Sequence, residues 1–276
     1  MVGRRLEFEK EDRFGFFVKA SLMKEARATP PAMTGRGETL DTFYRGRIRL
    51  LQKRTGYRFA LDAPLLADFI KTKPGEELLE LGTGNGIIAL LLSLKPFVHI
   101  TALEIQPSLA NLARRNVRLN GLEKRMTVVR ADFRTFRPEK RFDVVFSNPP
   151  YIPKASGFLS AAAEKSVAKH EIKCDILEVM RATSELLKPA GRAYFVFPAR
   201  REGDFAKAAE AAGLAVRRRR FVLPRAGASA ILFLAECRFE RGPRRELRPL
   251  VLRDTRGGDT PEACLIFEGR GRGPAH

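Results

Sequence analysis

Between residues 78 and 146 the chain alternates short apolar runs with amphipathic ones, and no other feature constrains its fold as strongly. Leu78-Leu79-Glu80-Leu81, Val98 to Leu103, Met126 to Val129 and Phe142 to Phe146 each have the length and content of a strand. Between them, Ile87 to Leu94 reads as a buried helix. Pro107 to Asn120 reads as a helix with Leu109, Leu112, Ala113 and Val117 on one face, ended by Gly121. Repeated strand-helix units imply a parallel sheet covered on both faces. The pattern continues with a helix over Asp175 to Leu187, a strand over Ala193 to Phe197 and a helix over Asp204 to Ala212. Two long strand-like runs follow, Ala215 to Leu223 and Ala230 to Cys237, separated only by Pro224-Arg225-Ala226-Gly227. That connection is too short for a crossover helix, so the last pair is expected to be antiparallel.

The flanks are different in kind. Of a net charge of +19, residues 1–60 hold 14 basic against 7 acidic side chains, and residues 214–276 hold the same numbers. Positive excess at both ends favours a polyanionic partner, with nucleic acid the usual one, and Arg217 to Arg220 are expected to contribute phosphate contacts. Residues 1–38 read as a basic extension and 241–276 as an Arg-rich segment. Over residues 44–60 a hairpin is expected: Arg47 to Gln52 alternates, Thr55-Gly56 turns, and Tyr57 to Ala60 alternates again. Asp62, as a cap, and Pro64 then mark a helix start. The start of the chain lacks a secretory apolar centre and no run has membrane length, so a cytoplasmic protein with no membrane partner is expected. Cys174, Cys237 and Cys264 lie too far apart in sequence to suggest a metal or redox pair.

Two stretches carry chemistry. Gly82-Thr83-Gly84-Asn85-Gly86 lies at the first strand-to-helix turn, where glycines let backbone approach a ligand. A dinucleotide fingerprint would place another glycine at position 87, where Ile87 stands, so the pyrophosphate pattern is incomplete. Glu80 is close enough to reach an ammonium group, and Glu104 ends the second strand at the spacing of a ribose-binding acid. These parts suit a nucleoside with an amino-acid tail, namely S-adenosyl-L-methionine. The second stretch is Ser147-Asn148-Pro149-Pro150-Tyr151 at the end of a strand. The two prolines stop pairing and hold Asn148 on a stiff turn. There its amide can meet a flat polar group while Tyr151 stacks on it. His170 and Glu171, further along, read as a solvated pair at a helix start.

Together with Glu80 to Gly86 and Glu104, Ala131-Asp132-Phe133 and Asn148 to Tyr151 resemble the successive motifs of class I S-adenosyl-L-methionine-dependent methyltransferases with an Asn-Pro-Pro-Tyr signature. Asp41 to Lys53 and Gly56 to Ala63 resemble the opening of the bacterial tRNA1(Val) (adenine-N6)-methyltransferases. The resemblance implies a Rossmann-like, seven-stranded, mostly parallel α/β sheet with an antiparallel last strand and helices on both faces, in a domain over 39–240. It assigns the cofactor to Glu80, Gly82, Thr83, Gly84, Asn85, Gly86, Glu104 and Asn148, with Asp132 and Phe133 beside its adenine. Asn148 and the Pro149 carbonyl would grip the target amine, with Pro150 and Tyr151 completing the catalytic turn and Phe59 and Asp62 near the methionine end. No metal is required, and the expected partner is RNA, most naturally tRNA. A glutamine amide in a protein and an rRNA guanine are the alternative acceptors. The first would bring a helical front domain in place of a hairpin. An inactive RNA-binding protein on the same fold is a third reading, which intact Asn148 and Gly82 to Gly86 oppose.

Overall fold

In a computed structural model of the protein, residues 34–54, 61–149 and 175–270 are described. The expected strand Tyr57 to Ala60, Phe59, Pro150, Tyr151, His170, Glu171 and Cys174 lie outside them.

The strand-helix alternation is present as read. Strands β3 (Glu77–Leu81), β4 (His99–Glu104), β5 (Met126–Arg130), β6 (Phe142–Ser147) and β7 (Leu187–Pro198) run parallel, in the spatial order β7-β6-β3-β4-β5. On the other side of β7, β9 (Leu232–Arg238) is antiparallel to both β7 and β8 (Ala215–Arg225). This is the reversal expected of the last pair. Successive residues of the central strands point to opposite faces. Leu78, Val144, Tyr194 and Val196 enter one core with α1 (Asp62–Phe69), α2 (Ile87–Leu92) and α3 (Pro107–Leu119). Leu79, Val145, Phe195 and Phe197 enter another with α4 (Ile176–Leu186) and α5 (Glu202–Ala211). The sheet is thus covered on both faces, which is why its strands read as continuous apolar runs.

Two expectations are corrected. Among the described residues the sheet has eight strands, because β10 (Arg245–Arg253), from the Arg-rich C-terminal segment, pairs parallel to β8. Pro249 falls where the register shifts between Leu247 and Leu250, and a proline is tolerated there because β10 is an edge strand. Leu250, Leu252 and, from α6 (Pro261–Phe267), Ala263, Ile266 and Phe267 extend the first core. With β10 beside it, β8 has no open edge, and Arg218, Arg219 and Arg220 turn inward as ties. Arg218 Nε lies 3.0 Å from Glu236 Oε2, with its guanidinium 4.2 Å from the Phe69 ring centroid. Arg219 pairs with Glu246 at 2.8 Å, and Arg220 with Glu262 at 2.7 Å. All three are buried, so they are not the phosphate contacts their sequence suggested.

The expected hairpin is described only in part. The strand read over 47–52 exists as β2 (Ile48–Lys53), and among the described residues it pairs with β1 (Glu38–Phe43), a strand that was not expected, while the turn Thr55-Gly56 and the second expected strand lie outside them. The chain turns through Tyr44, Arg45 and Gly46, all in the left-handed region at φ 52, 59 and 84°. Two of these are residue types that seldom adopt it, so the turn is hard to read from sequence. Burial of the Tyr44 ring against Gly269, where any side chain would collide with it, and an Arg45–Glu268 ion pair at 3.0 Å hold the turn.

Candidate active site

The site follows from strand register. Glu80 is level with Ala102 on one side and Phe146 on the other, so Gly82, Glu104 and Asn148 each lie two residues past a common line. Asp132 follows two residues after Arg130, which is level with Glu104. All four motifs therefore reach the C-terminal edge of the sheet around β3, where the chain passes from β4 and β5 on one side to β6 on the other. Open α/β sheets form their ligand crevice at that point.

Gly82, Gly84 and Gly86 all hold left-handed backbone, at φ 73, 60 and 90°. A Cβ at Gly82 would face open space and one at Gly86 would make ordinary contact with Ala113 at 3.5 Å, so the left-handed backbone, not lack of room, is what calls for glycine at both positions. The turn is fixed from below by two acids. Glu104 Oε2 accepts from Gly84 N at 2.8 Å and Oε1 accepts from Gln106 N at 2.8 Å. Burial raises its carboxyl above the usual range, and these backbone donors oppose the rise. Glu80 is fully buried and accepts from Thr83 Oγ1 at 2.5 Å. Burial, with the Glu104 charge adding to it against the Thr83 bond, pushes it up to about 8.

Asn85 is buried, and Asn116 Nδ2 on α3 donates to its carbonyl at 2.9 Å. The same Asn116 side chain exchanges hydrogen bonds with Leu51 N and O at 2.7 and 3.0 Å. Gln52 Nε2 donates to Asp41 Oδ2 at 2.5 Å. The hairpin is therefore stapled to the glycine turn, and Asn85 joins the staple. Asn116, Gln52 and Asp41 were missed in the sequence. Their only signal is polarity at positions the periodicity buries.

Asp132 is held by Arg134, whose Nε and Nη2 donate at 3.0 and 2.6 Å, and this partner keeps its carboxyl below the usual range. Phe133 packs on the second core. Ser147 Oγ donates to Leu81 O at 2.8 Å, tying the end of β6 to that of β3. Asn148, just beyond, is half-buried and donates from Nδ2 to Asp62 Oδ2 at 2.8 Å. Asp62 is the first residue of α1 rather than its cap, and it reaches from that helix into the site.

This arrangement of sheet, glycine turn and strand-end acids defines a Rossmann-like methyltransferase. A predicted O-methyltransferase from Agrobacterium tumefaciens shares the fold, with a TM-score of 0.61 at 21% identity over 76% of this chain and 97% of that one. The chain belongs to the family described as the methyltransferase small domain, which matches residues 60–201. S-adenosyl-L-methionine is its methyl donor. Among curated relatives, it is 30% identical over 170 residues to a tRNA1(Val) (adenine(37)-N6)-methyltransferase of a Flavobacteriaceae bacterium, covering 61% of this chain and 71% of that protein. It is 28% identical over 220 residues to the protein of the same name from Tolumonas auensis, covering 79% and 91%. Among the described residues, no helix is long and apolar enough to cross a membrane.

Proposed function

We propose that this protein transfers a methyl group from S-adenosyl-L-methionine to the exocyclic N6 amine of an adenine in tRNA. The observation that carries the proposal is Asn148, held at the end of β6 level with the glycine turn, in a chain whose relatives bear that activity in their names.

The residues fit the donor. In a protein of net charge +19, the crevice brings the acids Glu104 and Asp132 to the sheet edge beside the glycine turn, which suits a cationic ligand. Glu104, fixed by two backbone N–H groups, retains lone pairs for ribose hydroxyls. Gly82 and Gly84 would admit the amino-acid tail, with Glu80 and Thr83 beneath them, while Asp132 and Phe133 would border the adenine. When bound, the sulfonium supplies an already activated methyl carbon. The chain's task is to hold a nitrogen lone pair in line with it. The Asn148 side-chain oxygen and the Pro149 carbonyl would accept the two N–H groups of the amine. They would thereby favour pyramidalisation and the positive charge that grows on nitrogen as its bond to carbon forms and the bond to sulfur breaks. One proton then leaves the methylated amine for solvent.

The test is to incubate the protein with tritiated methyl donor, total RNA and ribosomal protein extract, then digest the RNA to nucleosides and the protein to amino acids. Label in N6-methyladenosine is expected; label in protein glutamine or in a guanosine would overturn the choice of acceptor while sparing fold and donor.

A further inference from the structure

Helix α1 delivers Asp62 to the crevice, and the chain fixes that helix firmly at its other end. Lys95 Nζ donates to the carbonyls of Ala67, Asp68 and Ile70 at 2.7, 2.9 and 2.6 Å, and Arg218 Nη2 donates to that of Phe69 at 3.0 Å. A helix C-terminus leaves such carbonyls without intrahelical partners, and positive charge is favoured beside them. With nearly every residue of α1 buried as well, the helix is held against sliding or rolling. Asp62 is thus a fixed point. Its Oδ1 accepts from Ala63 N at 3.0 Å and its Oδ2 accepts from Asn148 Nδ2 at 2.8 Å.

The two ends of an amide are chemically opposite, and which one faces a partner is decided by the partner. A carboxylate only accepts, so Asn148 must turn its amino group toward Asp62. Its carbonyl oxygen, on the other side of the amide carbon, is then directed away from Asp62. We propose that Asp62 is a positioning residue: it holds Asn148 so that the carbonyl oxygen, and not the amino group, meets the target amine. This rests on the reading of Asn148 given under Proposed function. A reversed amide would set its own hydrogens against those of the amine, where positive charge grows during transfer.

Exchange of the two side chains tests this. Asp62→Asn admits both orientations of Asn148, and methyl transfer should fall about tenfold or more in kcat while donor affinity by calorimetry stays near wild type. Asn148→Asp sets two carboxylates side by side. They must share a proton, so both kcat and melting temperature should fall as pH rises from about 5 to about 8. The double variant D62N/N148D restores a donor facing an acceptor, with the acceptor at position 148. It should abolish the pH dependence and recover about tenfold or more of the rate lost in N148D. A residue that merely filled space would give no such recovery. Wild-type kcat in Asp62→Asn, or a double variant no better than the product of the two single losses, would overturn the proposal. Should wild type methylate an amide in protein instead of tRNA, the functional reading fails, and the same exchange is scored on that acceptor and on the ligand-free melting curves.

Discussion

Replacing Glu104 with Ala tests the crevice where its geometry is best defined. Both carboxylate oxygens accept backbone N–H groups, from Gly84 and Gln106, before any ligand arrives. The variant therefore loses two things, the support of the glycine turn and the acceptor offered to ribose hydroxyls. Charged hydrogen bonds contribute about 1.5–3 kcal/mol each. Loss of one such bond to a ribose hydroxyl should thus weaken donor affinity by about 10-fold to 150-fold, at about 1.4 kcal/mol per tenfold. The two abandoned N–H groups, each left unsatisfied at about 1–3 kcal/mol, should also lower the melting temperature by several degrees. Calorimetric titration with S-adenosyl-L-methionine, and with an analogue lacking both ribose hydroxyls, separates the two effects. The analogue should bind wild type and variant about equally; equal losses with both ligands would refute a ribose role and leave Glu104 a purely structural support. Glu104→Gln is no neutral control here, because its amino group would face one of the two backbone donors.

Further predictions concern the protein around the crevice. Burial pushes the Glu80 carboxyl up to about 8 from its ordinary 4.5. Its contribution to stability is therefore present in full below about 4.5 and lost as pH rises through about 8, because the folded state binds more protons across that window. In Glu80→Gln, the plot of melting temperature against pH should be flatter over that interval; an unchanged slope would show Glu80 ionised in the native protein. Arg220→Met should destabilise the protein by about 1–3 kcal/mol, because α6 loses its charged tie to β8 while the half-exposed Glu262 is left to solvent. The salt dependence of tRNA binding should be unaffected by that change; a flatter slope would restore Arg220 as a phosphate contact. Asn148→Ala should leave donor binding intact and cut methyl transfer about 100-fold or more, and full activity would move the amine-binding role elsewhere.

What the sequence showed plainly was whatever a period or a turn residue enforces. The runs at Leu78, Val144 and Tyr194 are apolar on successive residues because both faces of their strands are covered, and that length and content cannot be mistaken for an exposed strand. The glycines at 82, 84 and 86 were legible because each occupies left-handed backbone. The turn at Tyr44-Arg45 was not, because it places non-glycine residues in that same region and depends on the distant Gly269 and Glu268 to hold them. Nor were the polar ties. Asn116 to Leu51 spans 65 positions and Asn148 to Asp62 spans 86, and no local pattern announces a partner so far away.

The arginines of β8 show why composition misled at the C-terminus. A run of four like charges suggests a surface that seeks an anion, and in an edge strand the reading would hold. Here the matching acids come from elsewhere in the chain: Glu236 on β9, Glu246 on β10 and Glu262 on α6. Arg218, Arg219 and Arg220 each join β8 to a different element, so these three serve as ties that seat the C-terminal segment on the sheet. Arg218 also reaches Phe69 O at the end of α1, and α1 begins with Asp62, which holds Asn148. The basic segment therefore bears on the site mechanically: Arg218→Met should loosen α1 and lower kcat for methyl transfer without altering the salt dependence of tRNA binding. Kinetics measured across an ionic-strength series would decide it. A loss confined to KM, with kcat unchanged and a flatter salt slope, would return Arg218 to the surface role its sequence suggested.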